Sequence, residues 1–260
     1  MPDSQNRLEK NISASAADSP AVSPAVSPLT GNTALVTGAS RGIGRAIALR
    51  LAQLGARLLL VARDRAALTT VQQEIVQTGA AAEILPCDLT SASEIATLAS
   101  RIHAAADCDI LINAAGIGKI GAPLHQMPVD DYDAVLSTNL RAPFLLMRAV
   151  VPGMIARGAG YIVNISSLAG QGPLANGAAY AASKWALNGL TYSAAEELRA
   201  HNIRVSVVAP GSVNTEFGRG GKDRSKMLQA GDVANVVAML VTQPPQSFIS
   251  EVRMRPTQKP

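Results

Sequence analysis

The 260-residue sequence predicts a single α/β domain, a doubly wound, mostly parallel seven-stranded sheet with helices on both faces. Three observations predict it. Hydrophobic residues make up 48% of the chain and aromatic residues only 3%, so the core must be built from Ala, Val, Ile and Leu. Such a core suits parallel strands buried on both faces better than an aromatic-rich sandwich. A short apolar run, TALVT, leads directly into the glycine-rich TGASRGIG and then into a helical run. From there, short apolar runs alternate with longer helical patterns, which is the arrangement of βαβ units.

The elements follow in order. Residues 1–30, MPDSQNRLEKNISASAADSPAVSPAVSPLT, are rich in Ser, Ala and Pro and repeat AVSP. With few large apolar side chains to bury, this stretch is expected to be a disordered tail ahead of one domain at 31–260. It lacks the apolar core of a signal peptide, and Asp3, Glu9 and Asp18 argue against a transit peptide. Strand one is TALVT, followed by the helix GRAIALRLAQLG. RLLLVA (57–62) is strand two and DRAALTTVQQEIVQTG a helix. AAEIL (81–85) is strand three, SASEIATLASRIHAA a helix and DILIN (109–113) strand four. A long helical run covers 131–157, and GYIVNIS (160–166) is strand five. A helix over 178–200, the strand IRVSVVA (203–209), a helix over 231–242 and the strand SEVRMR (250–255) complete the chain.

Composition excludes several function classes. The net charge of +4 comes from scattered Arg and Lys, which is no footprint for nucleic acid. No charge-free apolar stretch of transmembrane length occurs, so no membrane partner is expected. Cys87 and Cys108 have no metal or redox spacing and read as reduced thiols of a cytoplasmic protein. His103, His125 and His201 share no ligand spacing, so no metal is expected.

Strand, glycine-rich turn and helix form a phosphate-binding context. Gly38 permits the tight turn, Gly42 lets the backbone approach a pyrophosphate, and Gly44 lets the helix pack closely on its strand. The helix N-terminus then points amide dipoles at the phosphates. Further on, YAASK places Tyr180 and Lys184 one above the other on a helix face. Alone, that pattern also describes a half-buried ring beside a solvated lysine.

Read together, the chain resembles the short-chain dehydrogenase/reductase family over residues 32–256. The motifs stand in order: TGASRGIG (37–44), CDL (87–89), NAAG (113–116), Asn139, ISS ending at Ser167, YAASK (180–184) and PGSVNT (210–215). Ser167 lies thirteen residues before Tyr180, the family's usual interval, and Ala114 replaces the commoner second Asn of NNAG. The fold implied is Rossmann-type. The resemblance implies a catalytic set of Asn139, Ser167, Tyr180 and Lys184. Tyr180 would give its proton to a carbonyl oxygen as hydride reaches the carbon, and Lys184 would lower the phenol's pKa and bond the nicotinamide ribose. Ser167 would align the substrate oxygen, and Asn139 would hold a water linking Lys184 to solvent. Cofactor contact is implied for Gly38, Ser40, Arg41, Gly42, Ile43 and Gly44 in the loop, and for Asp88 and Leu89 at the adenine edge. Asn113, Ala114 and Gly116 would lie beneath the adenine ribose, and Pro210, Gly211, Val213 and Thr215 beside the carboxamide.

The choice between NAD and NADP turns on the end of strand two. Asp64 lies twenty residues past Gly44, where an acidic residue would favour NAD, but the apolar run ends at Ala62. Arg63 follows, and Asp64 fits the N-cap of the next helix. With Arg41 nearby, two guanidiniums suit a 2′-phosphate, and the expected cofactor is NADP(H).

The expected reaction is interconversion of a small-molecule carbonyl and a secondary alcohol. A 3-oxoacyl-acyl-carrier-protein or coenzyme A reductase is the narrower alternative, against which the ending SEVRMRPTQKP departs from that group's glycine-rich final segment. The segment Glu216–Lys226 carries Arg219, Lys222, Arg224 and Lys226, which would attract a carboxylate or phosphate, or would simply be a solvated loop. A non-catalytic cofactor-binding regulator is the competing class, and the intact set of four argues against it. The resemblance also implies a homodimer or homotetramer packed through the helices at 131–157 and 178–200.

Overall fold

The computed structural model describes residues 27–105, 108–217 and 223–260. Seven strands form one sheet: β1 (Thr33–Thr37), β2 (Arg57–Ala62), β3 (Ala82–Pro86), β4 (Ile110–Asn113), β5 (Gly160–Ile165), β6 (Ile203–Pro210) and β7 (Glu251–Met254). Their order is β3-β2-β1-β4-β5-β6-β7 and every pairing is parallel. The winding direction reverses between β1 and β4, so a crevice opens at the carboxyl ends of those two strands.

Both sheet faces are covered. Ala34 and Val36, Leu58 and Leu60, and Ile110 and Ile112 face a core closed by α1 (Gly42–Gln53), α2 (Arg65–Gln77) and α7 (Ala230–Val241). Leu35, Leu59, Val61 and Leu111 face the other core, under α3 (Ala92–Ala105), α5 (Ala142–Arg157) and α6 (Ala178–Arg199). Successive side chains point to opposite faces, so a strand buried on both sides reads as one continuous apolar run.

The helical run expected over 131–157 is three pieces. α4 (Val129–Leu136) passes into a π-helical turn, Ser137–Arg141, before α5 begins. The π turn carries one extra residue and so shifts the apolar phase once, a single offset that a coarse reading of one long helical run passes over. The stretch Val129–Arg157 is long and apolar enough in composition to cross a bilayer. Here Leu146, Met147, Val150 and Met154 instead pack into the core beneath the sheet.

Residues 1–26 of the expected tail lie outside the described residues, as do Arg219 and Lys222. The end of that tail is not disordered. Ser27 accepts a hydrogen bond from the Thr30 amide at 2.9 Å, and the Leu29 amide bonds the Leu54 carbonyl at 2.9 Å. Leu29 is buried in the core beside α1, because its side chain has apolar surface to cover there. The domain therefore begins before Gly31.

Candidate active site

The glycine loop follows from contacts that leave no room for a side chain. Gly38, at φ +67, lies so close to the segment after β4 that a Cβ would sit 2.9 Å from Ala115 Cα. Thr37 locks this approach. Its hydroxyl accepts from the Ala114 and Ala115 amides at 3.0 and 3.1 Å and donates to the Ile112 carbonyl at 3.3 Å. Thr37 was legible only as the first letter of the motif, and its positioning role was missed.

α1 starts at Gly42, with Arg41 as an N-cap whose side chain makes no capping bond and with no acidic residue in the first turn. Its first amides and the positive end of its dipole are therefore left for a ligand. Ser40, Arg41 and Ile43 line this turn, and Thr215 lies against it, 3.5 Å from where a Cβ of Gly42 would stand. A helix start of this kind, in a crevice at the topological switch, fits a pyrophosphate.

The corner expected to take the adenosine lies at the ends of β2 and β3. Asp64 caps α2, accepting from the Ala67 amide at 3.0 Å, so its carboxylate is committed to the helix. Arg63 is exposed and near enough to Asp88 to help hold that carboxyl below its ordinary pKa, behind the larger effect of the Thr90 amide. Leu89 is buried beside them. Arg41 points elsewhere: its guanidinium pairs with Glu216 at 2.9 Å, both groups being mostly exposed. The side chain of Asn113 turns into the core, where it donates to Asn164 Oδ1 at 2.8 Å, and Asn164 donates to Thr191 at 2.9 Å. Any ribose contact at this position must therefore come from the backbone.

At the other end of the crevice, Asn139 is fully buried and clasps Ile117 with both ends of its amide at 2.9 Å. It also donates to Ser183 Oγ at 3.0 Å, and Ser183 donates to the Tyr180 carbonyl at 2.7 Å. Ser183 is a further positioning residue, hidden in the sequence between Tyr180 and Lys184. The π turn aims Asn139 here. Gly116 sits between Asn139 and Lys184, and a Cβ would stand 3.3 Å from Asn139 Oδ1 and 3.7 Å from Lys184 Nζ.

Lys184 is 4% exposed and donates to the Ile165 carbonyl at 2.8 Å. Burial pushes its ammonium down to about 8, which leaves it mostly charged at neutral pH. Its Nζ lies 5.9 Å from the centroid of the Tyr180 ring. The net depression of the Tyr180 phenol expected from Lys184 is not found in this arrangement. Burial raises the phenol's pKa, and the opposing influence is a hydrogen bond with the Ser167 side chain. Spacing placed the charge one helical turn away but said nothing of how deeply the ring is buried. Ser167 also accepts from the Ala169 amide at 3.1 Å, which holds its hydroxyl at the end of β5.

Pro210 ends β6, the Gly211 amide bonds the Met254 carbonyl at 2.9 Å, and Val213 bridges Leu228. These bonds present Thr215 to the glycine loop. Ser167, Tyr180, Lys184 and Asn139 thus gather on one side of the crevice, and the glycine loop, Thr215 and Arg63 follow its length. The family model for short chain dehydrogenases matches residues 32–225. The chain belongs to the short-chain dehydrogenase/reductase family. This oxidoreductase is 32% identical over 225 residues to an uncharacterised oxidoreductase of Staphylococcus epidermidis, covering 86% of the chain and 96% of that protein. A metagenomic short-chain oxidoreductase solved in complex with NADP is 53% identical, with a TM-score of 0.81 over 90% of this chain and all of that one. A short-chain dehydrogenase from Sphingobium yanoikuyae solved with NADPH is 31% identical, with a TM-score of 0.77, covering 87% and 88% of the two chains.

Proposed function

We propose that this short-chain dehydrogenase/reductase interconverts a carbonyl and a secondary alcohol with NADP(H), Tyr180 acting as proton donor and acceptor. One observation carries the reading: the Tyr180 phenol lies beside the Ser167 side chain, which acts to lower its pKa, with the Lys184 ammonium one helical turn away. When bound, NADPH supplies the hydride. Because burial keeps the Tyr180 phenol protonated at neutral pH, it can donate to the carbonyl oxygen as negative charge develops there. Ser167 orients that oxygen, and its bond to the phenol stabilises the phenolate left behind. The Lys184 charge, its Nζ 5.9 Å from the centroid of the Tyr180 ring, favours the same phenolate, although burial outweighs it in the resting site. NADPH oxidation over ketones, 3-oxo acids and their esters and thioesters tests this. Tight NADPH binding without turnover of any carbonyl would overturn it.

Arg63, exposed at the end of β2 where the Asp64 carboxylate is committed to capping α2, supports the 2′-phosphate over a bare ribose, and solved relatives hold NADP or NADPH. Replacing Ala62 by Asp and Arg63 by Leu is expected to swing the kcat/KM ratio of NADPH over NADH by about tenfold or more toward NADH. An unmoved ratio would show that the phosphate is read elsewhere.

We further infer self-association through α4, α5 and α6 in a cytoplasmic protein. The two free cysteines are buried thiols, as a reducing compartment allows. Phe144, Trp185 and Tyr192 are exposed, and a groove of about 580 Å³ runs between Leu136, Leu140, Phe144 and Leu190. Light scattering on the purified chain is expected to read a dimer or tetramer; a monomer at micromolar concentration would refute it.

A further inference from the structure

The mouth of the catalytic crevice is apolar by construction. The Phe217 ring lies 5.7 Å from the Tyr180 ring, tilted by 48°. It rests on Gly118, where a Cβ would stand 3.0 Å from Phe217 Cζ and 3.2 Å from Cε1. The same Cβ would meet Ile120 Cδ1 at 3.3 Å, and Ile120 also lies 3.6 Å from a Cβ placed on Gly177, beside Leu174. Gly177 is the N-cap of α6, three residues before Tyr180. The Gly121 amide bonds the Asn176 carbonyl at 2.8 Å and holds these two loops together. Phe217 and Ile120 are each 49% exposed, an unusual state for large apolar side chains beside a reacting group.

Among the described residues, the charged side chains near this rim have partners elsewhere. Lys119 adopts φ 45, a left-handed conformation that costs a residue with a Cβ some free energy. The outcome is that its ammonium pairs with Asp131 at 2.9 Å while Ile120 turns to Phe217. Arg224 bonds the Thr215 carbonyl at 3.3 Å, and Lys226 pairs with Asp223 at 3.4 Å.

We propose that Phe217, with Ile120 and Leu174, is a specificity-determining wall that selects uncharged carbonyl compounds carrying an apolar group next to the carbonyl, aryl ketones above all. It selects against free carboxylates and small polar substrates. The inference rests on the carbonyl-reductase reading of the site. A flat apolar group stacks on the Phe217 ring and removes its exposed face from water, while a carboxylate there loses solvation without gaining a partner among the described residues.

The test compares kcat/KM for an alkyl aryl ketone, a small aliphatic ketone and a free 3-oxo acid, with NADPH, in the wild type and two variants. The wild type is expected to prefer the aryl ketone over the 3-oxo acid by about tenfold or more, the scale on which apolar pockets discriminate. Phe217→Ala should collapse the ratio of aryl to aliphatic ketone by about tenfold. Gly118→Ala, which pushes on the ring without removing it, should lower the same ratio with the fold intact. A wild type that prefers the 3-oxo acid, or a Phe217→Ala that lowers all three substrates equally, would overturn the wall while leaving carbonyl reduction standing. Turnover of none of the three, with NADPH bound, would overturn the reductase reading and this inference with it.

Discussion

Tyr180→Phe is expected to lower kcat/KM by about 10²- to 10⁴-fold, the range that a positioned acid supplies, while NADPH affinity stays unchanged. The variant removes one oxygen and leaves the ring, so the contact with Phe217 and the burial of the helix face persist. What disappears is the proposed proton donor, the hydroxyl that lies beside Ser167. Because the loss concerns the transition state alone, it should appear in kcat and not in the Kd for NADPH. Stopped-flow turnover and fluorescence titration read the two separately. A variant retaining more than about a tenth of the wild-type kcat/KM would place the acid on another residue.

Gly44→Ala has the second large effect, on stability and cofactor binding together. A Cβ at this position would stand 2.6 Å from the Gly38 carbonyl carbon and 3.0 Å from the Thr37 carbonyl oxygen. Those are backbone atoms, and they cannot swing aside as a flexible side chain would. Nor can the loop retreat, since Thr37 fastens it to Ala114 and Ala115. The first turn of α1 must therefore move out from β1. The expected cost is about 1–3 kcal/mol of stability, as for other overpacked sites, with NADPH binding weakened by tenfold or more. Gly172→Ala serves as the control, because nothing lies within 4 Å of its added carbon. Urea unfolding and NADPH titration decide the matter. Equal behaviour of the two variants would show that α1 tolerates a wider loop.

Most of the fold was legible, and the reason is burial. β1, β2, β4 and β5 are covered on both faces, so each appears as a continuous apolar run bounded by loops, and the helices between them fix the parallel winding. Asp64 could be assigned to the helix cap because the strand ends at Ala62, and the bond to Ala67 bears that out. The grouping of Asn139, Ser167, Tyr180 and Lys184 along one side of the crevice was legible through the order of motifs. What spacing could not carry was contact between distant segments. Glu216 meets Arg41 across 175 positions, and Phe217 meets Gly118 across nearly a hundred. Burial was equally invisible, which is why the Tyr180 phenol moves in the opposite direction from the one its neighbour implied. Leu29 shows the same limit at the start of the domain, where one apolar side chain outweighed the composition around it.

The wide turn at Ser137–Arg141 amounts to one residue more than a regular helix needs. Removing that residue would cost the helix itself little, since the backbone would close into ordinary α geometry. Everything after the cut would then rotate by about 100° against everything before it. Asn139 would lose Ile117, or α5 would lose its face on the sheet, but both could not be kept. A length change of one residue here is thus a change of register between the scaffold and the chemistry. In a comparison of relatives, a gap at this point would mark a loss of activity more surely than many substitutions in the crevice.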